Sequence, residues 1–276
     1  MHSAFAPALQ IPWRRAGKEL LLIAVLFAAY KLGRVLAADH VATAFGNAGR
    51  LWELERALRL PNEARVQDWL LNEPGAVRAA NVYYKFAHFP VTAVFLVWLY
   101  LRHPAHYRWS RTVLAVLTGL ALVVHFAVPL APPRMLGGLG FVDTGARYGP
   151  AVYGSPESDQ LANQFAAMPS LHVGWSVLVA VGIIAATRGP WRWLSVAHPV
   201  ITTFVVVATA NHYWLDGIVA TVVLVVTIVT LRPPKPVAPD AHGRTVDLAT
   251  VRRPDAGEAG TPGERVPAPS RDTAAA

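Results

Sequence analysis

The chain has 276 residues, of which 54% are hydrophobic and only 15% charged. Soluble domains carry about 25% charged residues, so this balance excludes an ordinary soluble fold and points to a bilayer. The net charge of +8 does not indicate nucleic acid, because the basic residues form no stripe with interleaved aromatics. The lack of cysteine excludes disulfides, thiol nucleophiles and thiolate metal sites.

In chain order, about six apolar runs approach the ~20 residues a bilayer core requires. They cover 20–38, 86–101, 113–130, 173–186, 196–210 and 217–231. Lys31 and Arg34 fall inside the first, which suits an anchor that tilts or snorkels. The preceding Arg14, Arg15 and Lys18 with the small residues at Leu36-Ala37-Ala38 also fit a signal sequence.

The basic residues lie in short segments before, between and after these runs: Arg14, Arg15 and Lys18; Arg102, Arg108 and Arg111; Arg188 and Arg192; Arg232 and Lys235. With six spans all these segments fall on one side, which the positive-inside bias makes cytoplasmic. Residues 40–83 mix both charge signs with Leu51, Trp52, Leu54, Leu58, Val66, Trp69 and Leu70. That spacing predicts one or two amphipathic helices in the interface plane, or a cap on the outer loops. Residues 131–169 form a Gly- and Pro-rich loop, and 233–276 have the Pro-, Ala- and charge-rich composition of a disordered tail.

Two polar islands stand at the rims of the apolar runs: Pro169-Ser170-Leu171-His172 and His212-Tyr213-Trp214-Leu215-Asp216. An imidazole or carboxylate at such a place is costly and functional by default. His212 and Asp216 share a face if both are helical, so the acid can take the Nδ1–H and leave Nε2 free. The same stretch also fits an interfacial aromatic belt. Ser170 is a candidate N-cap, and the helix start behind it can receive an anion beside His172. Arg134, in Ala131-Pro132-Pro133-Arg134, can hold a phosphate bidentately, or serve as an interfacial anchor. Tyr84, Lys85 and His88 open the second run on the outer side. They read as a possible head-group contact or as a plain tyrosine–lysine anchor. His125 and His198 lie outside any motif and read as structural.

Arg134, the Pro169–His172 island and His212 with Asp216 resemble the three motifs of the type 2 phosphatidic acid phosphatase (PAP2) superfamily, over about residues 80–231. The commoner lipid phosphatases place a lysine before the arginine and a proline after it; here those places hold Ala127 and Met135. In that respect the chain is more similar to the inositol phosphorylceramide synthase branch. The resemblance implies that His212 attacks phosphorus, oriented by Asp216, to give a phosphohistidine. It implies that His172 protonates the leaving group and then activates water or an alcohol, and that Arg134 and Ser170 bind the phosphoryl oxygens. No metal and no cofactor are expected.

The expected protein is therefore an all-α, polytopic helical bundle in the plasma membrane. Residues 1–19 form a cytoplasmic N-terminus, 20–38 the first span and 39–83 an extracytoplasmic amphipathic loop. A catalytic membrane domain follows at 84–231 and a disordered cytoplasmic tail at 232–276. The expected activity is a lipid phosphatase or phosphotransferase at the extracytoplasmic face, its partner a phospholipid, prenyl phosphate or phosphoinositide. The alternatives are an inositol-phosphate head-group transferase and, in another class, a transporter with a His/Asp relay. A transporter's polar groups belong near the midplane of broken helices, not at span ends.

Overall fold

The computed structural model describes residues 17–25, 27–28, 41–151 and 164–234. The rest of the first expected span and nearly all of the expected tail lie outside the described residues. Among the described residues the chain is helical, with an isolated parallel bridge between Leu130 and Ala166.

Residues 40–83 hold three helices where the amphipathic pattern gave one or two: α1 (Val41–Ala57), α2 (Glu63–Leu71) and the body of α3 (Pro74–Phe86). Asn62 caps α2 by accepting from the N–H of Ala64, and Pro74 starts α3, where a missing N–H costs nothing. The α3 helix then bends 46° into α4 (His88–Arg102). Pro90 supplies the cause, since it has no N–H for the carbonyl of Phe86 and the ladder breaks there. The second apolar run is thus the later limb of a broken pair that begins at Pro74.

Among the described residues the α5 helix (Pro104–Ala127) is the longest, about 36 Å at 1.5 Å per residue, more than the ~30 Å bilayer core. A short helix, α6 (Thr144–Tyr148), follows in the connection to the next long helix. Next come α7 (Leu171–Ala186), α8 (Ala197–Ala208) with its 3-10 lead Pro190–Val196, and α9 (Trp214–Thr230). By length and apolarity, Pro104–Ala127 and Pro190–Ala208 can cross a membrane, and the bent α3–α4 pair makes a third candidate; α7 and α9 are apolar but shorter.

At the centre of the bundle, α7 packs against α4, α5, α8 and α9. Gly174 faces Leu117 of α5 and Gly182 faces Phe95 of α4, so closely that a Cβ at either would displace the neighbour. Small residues at helix crossings are how membrane bundles gain van der Waals contact. The outward faces carry Val94, Val97, Leu120, Val123, Val222 and Val226, all exposed.

The two ends of the bundle differ. At one end Arg111 pairs with Glu19, the Trp109 indole donates to the carbonyl of Leu231, and Arg192 reaches the last carbonyls of α7. At the other end lie both polar islands, held by α1 and α2. Ala44, Ala48, Leu130, Ala131, Ala167 and Tyr213 form a buried cluster there.

Candidate active site

His212 does not sit on a helical face with Asp216, as its spacing suggested. The α8 helix ends at Ala208, and Ala210 turns the chain with φ of +54°, a left-handed conformation costly for a residue with a Cβ. His212 lies in this corner, and α9 starts two residues later at Trp214. Asp216 is the third residue of α9, and its Oδ2 accepts the N–H of Tyr213 at 2.9 Å, one half of a capping box. The same oxygen lies 3.1 Å from His212 Nδ1.

Nδ1 also lies 3.0 Å from the carbonyl of Ala167. A carbonyl can only accept, so Nδ1 carries the proton and Nε2 keeps its lone pair. Burial pushes His212 down to about 3, and the Arg134 charge adds to that, while the Ala167 bond opposes it. The ring is therefore neutral and nucleophilic at physiological pH.

His172, in the first turn of α7, is 5.7 Å from His212 between ring centres. Ser170 is the N-cap, its Oγ accepting from Val173 N–H at 3.4 Å. Its own N–H donates to the carbonyl of Asp216 at 3.0 Å, which ties the two islands together. His125, expected to be structural, holds the first island from α5: its Nε2 is 3.1 Å from the carbonyl of Pro169.

Arg134 is buried against the same corner. Its N–H donates to the carbonyl of Ala210 at 2.8 Å and Nη1 to Asn211 Oδ1 at 2.8 Å. Nε is 3.7 Å from Asp143 Oδ2. A cleft opens beside it, lined by Asn81, Tyr84, Asp143 and Asn211 among others.

Of the three residues that open the second run, the structure brings two to the islands. Tyr84 stacks on His172 at 4.5 Å, and His88 packs on His172 at 4.3 Å and on Trp175 at 4.7 Å. Lys85 points elsewhere, donating to the carbonyl of Ala151 at 2.8 Å on the cleft rim. Among the described residues no group of three or more histidines and carboxylates is placed to hold a metal ion.

The arrangement holds a neutral imidazole with a fixed tautomer, a second imidazole 5.7 Å away between ring centres and a guanidinium whose charge acts on the first. A family model for the PAP2 superfamily matches residues 49–230. The chain belongs to the PAP2 superfamily. Members of that superfamily are phosphatases or phosphotransferases, so this is an enzyme of that kind and a membrane protein. No curated protein and no solved structure matches the chain.

Around this candidate site of a PAP2 superfamily member, sequence reasoning missed Asn211, Asn81 and Asp143. Asn211 fixes Arg134 while its Nδ2 donates to Thr209 Oγ1 at 2.8 Å. Asn81 anchors the loop opposite, donating to the carbonyls of Thr144 and Gly149 and accepting from Thr144 Oγ1. Asn211 adjoins His212, and that adjacency was the available signal; nothing local marks Asn81 or Asp143.

Proposed function

We propose that the chain transfers a lipid-linked phosphoryl group through a phosphohistidine at His212, on the extracytoplasmic face of the plasma membrane. The observation that carries this reading is the pair of acceptors on His212 Nδ1, which leaves Nε2 as an oriented lone pair beside His172. In the first step Nε2 attacks phosphorus, the P–N bond forms and the P–O bond to the lipid breaks. His172 gives its proton to the departing oxygen. In the second step His172 takes a proton from water or an alcohol, whose oxygen attacks phosphorus and releases His212. Arg134 and the start of α7 at Ser170 neutralise the phosphoryl oxygens throughout. Asp216 never leaves His212 and balances the imidazolium charge that grows on attack.

This reading takes 20–38 as the first of six spans, which makes the arginine-bearing end of the bundle cytoplasmic. At about 24 and 26 Å, α7 and α9 are shorter than a ~30 Å bilayer core. With their other ends at the cytoplasmic interface, their island-bearing ends then lie just inside the outer edge of the core, next to where a lipid presents its phosphate without leaving the membrane. Tyr84 and His88 wall the acid side of the site, and Lys85 stands at the cleft rim as a head-group contact.

A second reading, transfer of a polar head group to an alcohol as in the inositol phosphorylceramide synthase branch, is favoured by the cleft beside Arg134. The Asp143 carboxylate in its lining, its side chain 43% exposed, can accept from a hydroxylated partner. Purified protein is to be given labelled phosphatidic acid, farnesyl pyrophosphate or phosphatidylinositol, with and without an alcohol acceptor. Acid-labile label trapped on the protein, lost in His212→Ala, is the expected result. Turnover that survives His212→Ala overturns the reading, and the product formed with the alcohol separates hydrolysis from transfer.

A further inference from the structure

Two carboxylates behind the His212 corner have no place in the chemistry above. Glu55, on α1, and Glu63, on α2, are both 0% exposed. Charged residues are almost never fully buried unless paired. Among the described residues, the guanidinium paired with them is that of Arg56, whose Nη2 is 2.9 Å from Glu63 Oε2 and 3.8 Å from Glu55 Oε2.

The Glu55 carboxyl is built into the start of α9. Its Oε1 accepts the N–H of Leu215 at 2.8 Å. Leu215 is the second residue of α9, and its N–H is one of the four that a helix cannot satisfy internally. The next residue is Asp216. Trp214 is held from the same side, its indole donating to the carbonyl of Pro61 at 2.9 Å. The α1–α2 hairpin thus grips the two residues that set where Asp216, and through it His212, is placed.

The other oxygens of the pair supply the second observation. Glu55 Oε2 and Glu63 Oε1 are both buried and lack a hydrogen-bond partner when the two acids are treated as carboxylates. An unsatisfied buried charge is costly. One proton held between the two acids satisfies both oxygens and leaves one negative charge against Arg56. This is the arrangement of like carboxyls that cannot both ionise.

We propose that Glu55, neutral and sharing a proton with Glu63, is a positioning residue that locks the first turn of α9 and so aligns Asp216 with His212. The inference rests on His212 being the nucleophile. Around Glu55 the titratable and charged groups are Glu63 from α2, Arg56 from α1 itself, and Asp216 and Tyr213 from the start of α9. Three of these four are acids, so ionising Glu55 sets a second negative charge beside Glu63 and behind Asp216. Burial, and then the Glu63 hydrogen bond, push Glu55 from 4.5 up to about 9. The alignment therefore holds at neutral pH and is lost in alkali.

The test compares Glu55→Gln, Glu55→Leu and His212→Ala in the full-length protein, with the lipid of the panel above that turns over fastest. Glutamine keeps the acceptor for Leu215 and offers an N–H to Glu63, so it mimics the neutral acid. Its kcat at neutral pH is expected within about twofold of wild type, and the alkaline fall expected of the wild type near pH 9 is expected to be absent. Leucine removes both functions, and kcat is expected to drop about 10- to 100-fold with KM nearly unchanged.

An alkaline limb that persists in Glu55→Gln overturns the proposal, as does a folded Glu55→Leu with full kcat. If Glu55→Leu fails to fold, the pH profile of Glu55→Gln decides alone. Melting against pH reads the shared proton without substrate: above pH 6.5, where His212 adds no slope, wild type loses stability up to about 9, and Glu55→Gln is flat over that window. Loss of activity in His212→Ala beside a silent Glu55 series overturns this inference only. Activity retained in His212→Ala overturns the parent reading.

Discussion

His212 Nδ1 and Asp216 Oδ2 stand 3.1 Å apart across a helix start, with the histidine outside α9 and the aspartate inside its first turn. The aspartate thereby does two things at once: it caps Tyr213 N–H and it orients the imidazole. Its backbone carbonyl also accepts from Ser170, so one residue joins both islands.

Asp216→Asn separates these roles. The amide oxygen can still accept from Tyr213, so α9 keeps its start. The negative charge that balances the imidazolium is gone, and the amide nitrogen competes for the wrong face of the ring. A fall in kcat of about 10³- to 10⁴-fold with little change in KM is expected from steady-state turnover. A loss of less than about tenfold shows that the Ala167 carbonyl alone orients His212.

Asn211→Ala tests how Arg134 is held. Arg134 donates to Asn211 Oδ1 from a buried position, and a hydrogen bond to a charged group contributes about 1.5–3 kcal/mol. A 10- to 100-fold loss in kcat/KM, about the same energy, is the expected outcome. Asn211→Asp is expected to retain binding of Arg134 and to lose turnover through repulsion of the phosphate. Equal kcat/KM in wild type and Asn211→Ala removes Asn211 from the site.

The residues that meet at this corner stood out in the sequence because polar residues at the rim of an apolar run are conspicuous. Arg134, Ser170, His172, His212 and Asp216 needed no knowledge of packing. What was not legible depends on partners distant in sequence. Asn211 and Arg134 meet from 77 residues apart, and Asn81 meets Thr144 from 63. Glu55 and Glu63 read as the wet face of an amphipathic helix, yet both are fully enclosed by the corner they support. The bend at Ala87 hid for another reason. Asn81 and Lys85 lower the apolarity of α3, so the apolar run starts only at 86 and the helix ahead of it looks like surface.

The neutral state of His212 gives a stability signature at acid pH. Its value in the folded protein is depressed from 6.5 to about 3. For a base depressed by folding, the unfolded chain binds the extra proton first, so stability is present above 6.5 and lost as pH falls toward 3. Melting temperature in detergent is expected to decline across that window and to decline less in His212→Gln. Turnover should show no acid limb near 6.5 from His212. A limb there belongs to another group or shows that the ring is more hydrated than its burial indicates.

Gly182 gives the last prediction, because it decides how near α4 comes to the centre of the bundle. A Cβ at this position would overlap the ring of Phe95, which is itself buried between α4 and α7, and would also crowd Ser110 Oγ on α5. Gly182→Val is therefore expected to lower stability by about 1–3 kcal/mol through overpacking, more than the gain from removing a helical glycine. Phe95→Ala in the same chain frees the space, so the double variant should recover part of the loss measured as melting temperature. Additive losses would place the strain elsewhere than at this crossing. His172 sits on the same helix ten residues earlier, at the opposite end of α7. A shift of α7 that relieves Gly182→Val should therefore also lower kcat, and restoring the crossing with Phe95→Ala should restore turnover in step with stability.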